Sequence, residues 1–321
     1  MKAVVYTRYG PPGVLQLTDV PTPVPRENEV LVKVHAVSLN LSDWECMRGK
    51  PAYARLGGLF RPRDHILGSD IAGKVEAVGH NANRFKPGEA VFADILSYKG
   101  GFAEYVCVPE TVLAPIPAGM TFEEAACLPQ AGAIALSGIW DKGQVQPGQK
   151  VLINGAGGGS GMYAIQIAKL REAEVTGVDN AEKLESMRSL GADHVLDYRQ
   201  VNFVRNGLRY DLILDLVAYR SPFACRRSLA PGGRYLAVGG PVRTILQLLL
   251  IGPLIGRRGR KKIGVLAVRL GVHNIDRIIE LCQTGKVSTR IDRRFPLSEV
   301  SDALQYLGEG HAKGKVVILV D

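Results

Sequence analysis

Residues 150–170, KVLINGAGGGSGMYAIQIAKL, constrain the fold of this chain more than any other stretch. An apolar run of strand type meets five glycines within seven residues, and an amphipathic run of helical period follows at once. A strand, a glycine turn and a helix in that order open a βαβ unit and so imply a parallel sheet. Gly155, Gly158 and Gly161 recur every third residue. A glycine early in such a turn allows the tight bend, the next lets backbone N–H groups approach a phosphate, and the last lets the helix pack close to the strand. The helix N-terminus adds partial positive charge. Gly155, Gly158, Gly159, Ser160 and Gly161 are therefore the candidate phosphate cradle.

The next apolar run, EVTGVD, ends in Asp179, eighteen residues after Gly161. A carboxylate at that point accepts hydrogen bonds from adenosine ribose hydroxyls and repels a 2′-phosphate. Glu182 adds to the repulsion, whereas Lys183 pulls the other way. The segment reads as a dinucleotide cradle that favours NAD(H), with NADP(H) as the open alternative. The plainer alternative is an α/β sheet whose glycines only turn the chain.

With 321 residues the chain exceeds one compact core, and two domains are expected. Residues 1–120 show short β-type runs (KAVVY, EVLVKVHAVSLN, DIAGKVEAVG, EAVFADI, FAEYVCV) parted by Pro and Gly, with one short helix at SDWECM capped by Ser42 or Asp43. From 121 to 270, strands alternate with helices. Beyond 271, NIDRIIELCQTGK and SEVSDALQYLGEG read as helices, and KVVILV closes the chain as a strand. The expected class is α/β: a doubly wound parallel-sheet domain at 121–270, and a discontinuous β-rich domain at 1–120 and 271–321.

The five cysteines (46, 107, 127, 225 and 282) show no CxxC spacing and suggest neither a disulfide framework nor a four-cysteine zinc site. No N-terminal run resembles a signal peptide, and ILQLLLIGPLIG at 245–256 is shorter than a membrane span and contains Pro253. A cytoplasmic location is the expectation. Net charge is +9, and RRGRKK at 257–262 holds five of the basic residues. Without aromatic interleaving it reads as a solvated loop, and no nucleic-acid partner is expected.

The order of these parts, and the motifs VLINGAGGGSG, RSLGADHVLDY, YDLILDLVA and HAKGKVVILV, resemble the medium-chain dehydrogenase/reductase superfamily over essentially the whole chain. LGSDIAGKVEAVG and NLSDW resemble its quinone oxidoreductase branch. The resemblance implies a GroES-like catalytic domain beside a Rossmann domain. Zinc alcohol dehydrogenases of the superfamily read Cys where this chain has Asn40, and Gly-His-Glu where it has Gly68-Ser69-Asp70, and they carry a four-cysteine lobe that this chain lacks. Tetrahedral zinc needs thiolate and imidazole ligands, so no metal is expected. The six histidines (35, 65, 80, 194, 273, 311) show no paired spacing and read as surface or satisfied core residues.

Without a Lewis acid to stabilise an alkoxide, hydride delivery suits acceptors that are already polarised, namely quinones and alkenes conjugated to a carbonyl. The resemblance assigns Asn40 to the substrate carbonyl or to the nicotinamide. It places Tyr198 near the adenosine, and Gly239 and Gly240 beside the nicotinamide. Relatives carry Tyr or His where this chain has Glu45, which leaves two readings, a proton relay or an exposed helix glutamate. Asp43 reads as a cap, Trp44 and Met47 as pocket wall or core. Ile134 stands where relatives carry Thr near the nicotinamide.

Residues 243–262 (RTILQLLLIGPLIGRRGRKK) admit three readings: a helix packed on its own domain with a charged exit, a lid or subunit contact, or a membrane-surface anchor at 245–262. Relatives commonly dimerise, although nothing in these residues shows a homodimer. The rival functions are a zinc-free alcohol dehydrogenase and a cofactor-binding redox sensor with little turnover.

Overall fold

The computed structural model describes residues 1–257, 260–268 and 275–320. Its described residues form two compact units, one from 1–130, 275–283 and 291–320, the other from 131–257, 260–268 and 284–290.

In the first unit, β1 (Lys2–Val5) and β2 (Gln16–Asp19) form a small antiparallel pair. The main sheet takes β3 (Glu29–Ser38), β4 (Asp70–Val78), β5 (Ala90–Asp94), β6 (Tyr105–Pro109) and β7 (Ala114–Pro115). Helix α1 (Leu41–Arg48) follows β3, and α2 (Phe122–Cys127) packs across the sheet. Helix α3 (Pro129–Leu136) follows α2, belongs to the second unit from Ala131 on, and carries the half-buried Ile134.

The second unit contains a six-stranded parallel sheet. Its strands are β8 (Lys150–Asn154), β9 (Glu174–Asp179), β10 (His194–Asp197), β11 (Tyr210–Asp215), β12 (Leu229–Ala237) and β13 (Lys262–Val265). Its helices are α4 (Gly159–Leu170), α5 (Leu184–Ser189), α6 (Pro222–Arg227), α7 (Val242–Leu250) and α8 (Gly252–Arg257). The chain returns to the first unit with α9 (Ile275–Gln283), β14 (Ile291–Pro296), α10 (Val300–Gly308) and β15 (Lys315–Leu319).

The sheet of the first unit runs β14-β15-β3-β4-β5-β7, with β6 also on β3. Its register sets Val317 beside Ser38, Ser38 beside Asp70 and Asp70 beside Asp94, so polar residues meet in one row at the strand ends. Val30, Val32, Val34, Ile71, Val91 and Phe102 fill the core below them. Met47 is buried in that core, and the Trp44 ring lies on Gly308 of α10, where any side chain would overlap it. Both are packing residues. Asn40, not Ser42 or Asp43, stands at the N-cap of α1, and Asp43 at the third helical position accepts the Asn40 N–H at 2.9 Å. Thr121 caps α2 by the same device with Glu124. The α2 helix belongs with β3, β4, β5 and β15, although the sequence expectation starts the second domain at 121. The expected boundary at 271 lies outside the described residues.

The second sheet runs β10-β9-β8-β11-β12-β13. The chain winds outward from β8 to β10 and then returns to pair β11 with β8, which makes the carboxyl ends of β8 and β11 the topological switch point. Asn154 and Asp215, register partners there, are joined at 2.8 Å. No helix among the described residues is long and apolar enough to cross a membrane.

Candidate functional site

The glycine loop leaves β8 at the switch point. Gly155 takes a φ of +85°, and its N–H and that of Ala156 donate to the Val178 carbonyl on β9. A Cβ at Gly161 would stand 2.5 Å from the carbonyl oxygens of Gly155 and Ala156, so only glycine lets α4 begin so close to the turn. Gly158 is the N-cap of α4, and among the described residues no side chain caps it. The first-turn N–H groups of Gly159, Ser160 and Gly161 therefore suit an anion from outside the protein, and the cradle fits a pyrophosphate.

Asp179 ends β9 beside this loop. Its carboxylate accepts the Gly157 N–H at 3.0 Å and the Asn180 N–H at 2.9 Å, and one oxygen lies 3.4 Å from the Lys183 ammonium. Both side chains are nearly buried, and the Lys183 stem covers Gly157, with Cδ 2.6 Å from where a Cβ would be. Sequence reasoning set Asp179 and Lys183 in opposition, whereas the fold pairs them. Tyr198, half exposed, donates its N–H to the Asp179 carbonyl and so stands at the same strand end. Gly239 and Gly240 follow β12 with φ of +69° and +110°. Asp215, fully buried, accepts from Asn154, the Val217 and Ala218 N–H groups and the Tyr235 hydroxyl, which fastens the turn after β11.

A second polar constellation lies in the first unit. The Asn40 amide donates to Ser69 Oγ at 3.1 Å and to Asp70 Oδ2 at 2.8 Å, while its oxygen accepts from Lys315 Nζ at 2.8 Å. Lys315 also donates to the Leu39 carbonyl, lies 4.0 Å from Asp70 Oδ2 and is 2% exposed. Ser69 Oγ donates to Asp43, which also accepts the Gly68 N–H. Gln130 links Asp70 and Asp94 through its backbone N–H and its side-chain amide, and Ser42 donates to its oxygen. Among the described residues Asp70 Oδ1 has no hydrogen-bond partner.

Burial holds the Asp70 carboxyl well above its usual range, Asp94 adds like-charge repulsion, and Lys315 opposes both. Burial likewise raises Asp94, and it pushes Asp43 up to about 6 against the hydrogen bonds it receives. The convergent atoms are an amide, a hydroxyl and a carboxylate with an ammonium among them, and this donor set does not fit zinc, which takes thiolate and imidazole. Among the described residues no group of three or more His, Cys, Asp or Glu is placed to hold a metal ion. His35 stacks on Phe122, and His80, His194 and His311 pair with neighbouring glutamates; His273 lies outside the described residues.

Glu45 sits on α1, half-buried, with the Tyr53 hydroxyl 3.5 Å from both carboxylate oxygens. Burial pushes its pKa up to about 7, and the hydroxyl only partly offsets this. Sequence reasoning noted Asp70 only as a departure from the zinc-ligand motif, and it missed Lys315, Asp94 and Gln130. The one available signal was a lysine opening an otherwise apolar strand in GKVVILV.

A parallel sheet with a glycine cradle at its switch point, joined to a discontinuous β-rich unit, defines a two-domain nucleotide-dependent oxidoreductase fold. Residues 26–118 match the alcohol dehydrogenase GroES-like domain family, and residues 190–318 match the zinc-binding dehydrogenase family. The chain is 33% identical to the chloroplast envelope quinone oxidoreductase homolog of Arabidopsis thaliana, over 99% of this chain and 98% of that one. It is 31% identical to the NADPH-dependent alkenal/one oxidoreductase of the same plant, over 99% and 79%. The solved quinone oxidoreductase of Coxiella burnetii superposes with a TM-score of 0.90 at 30% identity, over 100% and 99% of the two chains. The chain belongs to the medium-chain dehydrogenase/reductase superfamily, in its quinone oxidoreductase-like branch, and is an oxidoreductase.

Proposed function

We propose that this enzyme transfers a hydride from NADH to a quinone or an α,β-unsaturated carbonyl, without zinc. The observation that carries the reading is the N-terminus of α4 behind Gly155–Gly161, which no side chain caps among the described residues, at the switch point of the parallel sheet. The names of the relatives support the acceptor class, and the Asn40–Ser69–Asp70–Lys315 donor set supports metal-free chemistry.

Bound NADH supplies two electrons and one hydrogen as hydride. The loop from Gly155 to Gly161 holds the pyrophosphate, and Asp179 holds the adenosine ribose. The Asp179–Lys183 ion pair neutralises the lysine that would otherwise attract a 2′-phosphate, which favours NADH over NADPH. Tyr198 flanks the adenosine, and Gly239 and Gly240 give the nicotinamide close backbone approach. Glu45, with a pKa of about 7, is protonated in a large share of molecules at neutral pH. It donates the proton that completes the reduction and is recharged from solvent. Asn40, with both amide N–H groups and its oxygen engaged inside the protein, acts as a positioning residue for the buried cluster. Five cysteines whose spacing suggests no disulfide framework fit a reducing compartment such as the cytoplasm.

The test is a panel of benzoquinones, naphthoquinones, enones and simple alcohols, followed by the absorbance of NADH. The proposal expects NADH consumption with quinones or enones and no NAD-dependent oxidation of alcohols. Alcohol oxidation alone, or cofactor binding without turnover on any acceptor, overturns it.

A further inference from the structure

From Leu216 to Ile275 the chain has eleven Lys and Arg and no Asp or Glu, although the whole protein carries only +9. That acid-free stretch includes α6, α7 and α8, which pack on one another. On α7, Thr244 and Leu248 face the unit's interior. The opposite face presents Arg243, Leu246, Leu249 and Leu250, spaced as one helical stripe. Leu246, Leu249 and Leu250 are 51%, 59% and 71% exposed, and Leu254 on α8 is 58% exposed. Phe223 and Arg227, one turn apart on α6, are exposed as well. Arg260 and Lys262, beyond the leucines, are exposed. The Lys261 ammonium instead donates to the Arg226 and Leu229 carbonyls and ties the exit of this segment to the end of α6. Arg258 and Gly259 lie outside the described residues.

Leucines at this exposure cost free energy in water unless something covers them. The cationic residues around them, with no carboxylate in sixty residues of chain, select an anionic partner. A nucleic acid satisfies the charges but leaves the leucines in water. A second copy of this chain covers the leucines but brings an equally basic surface against the first. An anionic bilayer satisfies both, because an interfacial helix seats its apolar face at the acyl boundary and its basic residues among the headgroups.

We propose that the α7–α8 face docks on the surface of anionic phospholipid membranes, with Leu246, Leu249, Leu250 and Leu254 inserted and Arg243, Arg260 and Lys262 at the headgroups. This binding is peripheral and does not depend on the reaction proposed above.

The test is co-sedimentation of the full chain with vesicles of phosphatidylcholine alone and of phosphatidylcholine mixed with phosphatidylglycerol, at low and high salt. Two double variants accompany it, Leu246→Ser with Leu250→Ser, and Arg260→Glu with Lys262→Glu. Binding is expected only to the mixed vesicles and falls at high salt. A basic residue near such a surface contributes about fivefold in affinity, so the charge-reversed variant loses at least about 25-fold. The serine variant loses at least about tenfold. Absence of binding, equal binding to neutral vesicles, or unchanged binding by the serine variant overturns the proposal. So does a serine variant that turns a dimer into a monomer while the wild type ignores vesicles, since the face is then a contact between copies. Duplex DNA bound equally by wild type and serine variant, with no vesicle binding, makes it a nucleic-acid surface. NADH affinity and turnover of a water-soluble quinone stay unchanged in both variants, which separates this test from that of the reaction.

Discussion

The Lys315 ammonium stands 2.8 Å from the amide oxygen of Asn40, a residue 275 positions earlier in the chain, and both meet Asp70, which stands in the row Ser38–Asp70–Asp94 across β3, β4 and β5. Through that contact the closing strand fixes which way the Asn40 amide points, with its N–H groups toward Ser69 and Asp70. Lys315 is also the cation nearest to Asp70 in this cluster, at 4.0 Å. Replacing it by methionine leaves the buried amide oxygen of Asn40 without this donor and the buried Asp70 carboxyl without its nearby cation. The expected cost is about 3 kcal/mol, the lower end for breaking a buried pair, read as a lower urea midpoint at unchanged slope. An unchanged midpoint would remove Lys315 from the account.

With Glu45 as the proposed proton donor, the pH dependence of turnover takes its direction from this residue. Its carboxyl, raised to about 7 by burial, donates a proton only while protonated, so the rate falls as pH rises through about 7. Glu45→Gln cannot donate, and it should lower kcat by roughly 100-fold and flatten that alkaline limb. A profile of kcat against pH for the two proteins checks both effects. A variant that keeps wild-type kcat and its alkaline limb returns Glu45 to an ordinary helix position.

The same burial sets the pH dependence of stability. Asp43, Asp70, Asp94 and Glu45 all hold protons more tightly folded than unfolded, with Asp43 at about 6 and Glu45 at about 7. The folded state therefore binds more protons, and these groups lower stability as pH rises from the unfolded carboxylate range near ~4 through about 7. Urea midpoints at pH 5 and pH 8 should show the higher value at pH 5, and Glu45→Gln should narrow the gap.

The proposed preference for NADH rests on the Asp179–Lys183 pair. Asp179→Ser removes the ribose acceptor and releases the Lys183 ammonium, 3.4 Å away, from its partner. NADH affinity should fall about tenfold while NADPH affinity rises, since one charge-assisted hydrogen bond is worth about 1.5–3 kcal/mol. Parallel fluorescence titrations measure this. Equal losses for both cofactors would mean that Asp179 serves the loop through Gly157 alone.

Gly161→Ala places a methyl group 2.5 Å from two carbonyl oxygens and must push α4 away from the turn. NADH affinity should fall at least about tenfold, together with a loss of stability of 1–3 kcal/mol in order of magnitude, typical of overpacking. Gly264→Ala on β13, with open space around it, is the control and should leave NADH affinity unchanged.

Much of this was legible because the information is local. The strand, glycine turn and helix at 150–170 lie within one short stretch, and Asp179 falls at the end of the very next strand. Helix α2 was missed because its six residues are too few to show a period, and β14 because Arg293 and Arg294 break the alternation expected of a strand. The Asn40–Lys315 and Asp70–Asp94 contacts could not be read from the sequence. They exist only after four strands from distant parts of the chain have set their register. Glu45 was visible as a residue, but its raised pKa is a product of burial, which residue type does not reveal.

The most direct measurement is mass spectrometry of the product formed when metal-depleted enzyme reduces an enone with NADH deuterated at C4 on the transferred face. One deuterium is expected at the carbon β to the carbonyl, at a rate unaffected by a chelator. Product that forms only after zinc is restored, or that carries no deuterium, would contradict the proposed hydride transfer without zinc.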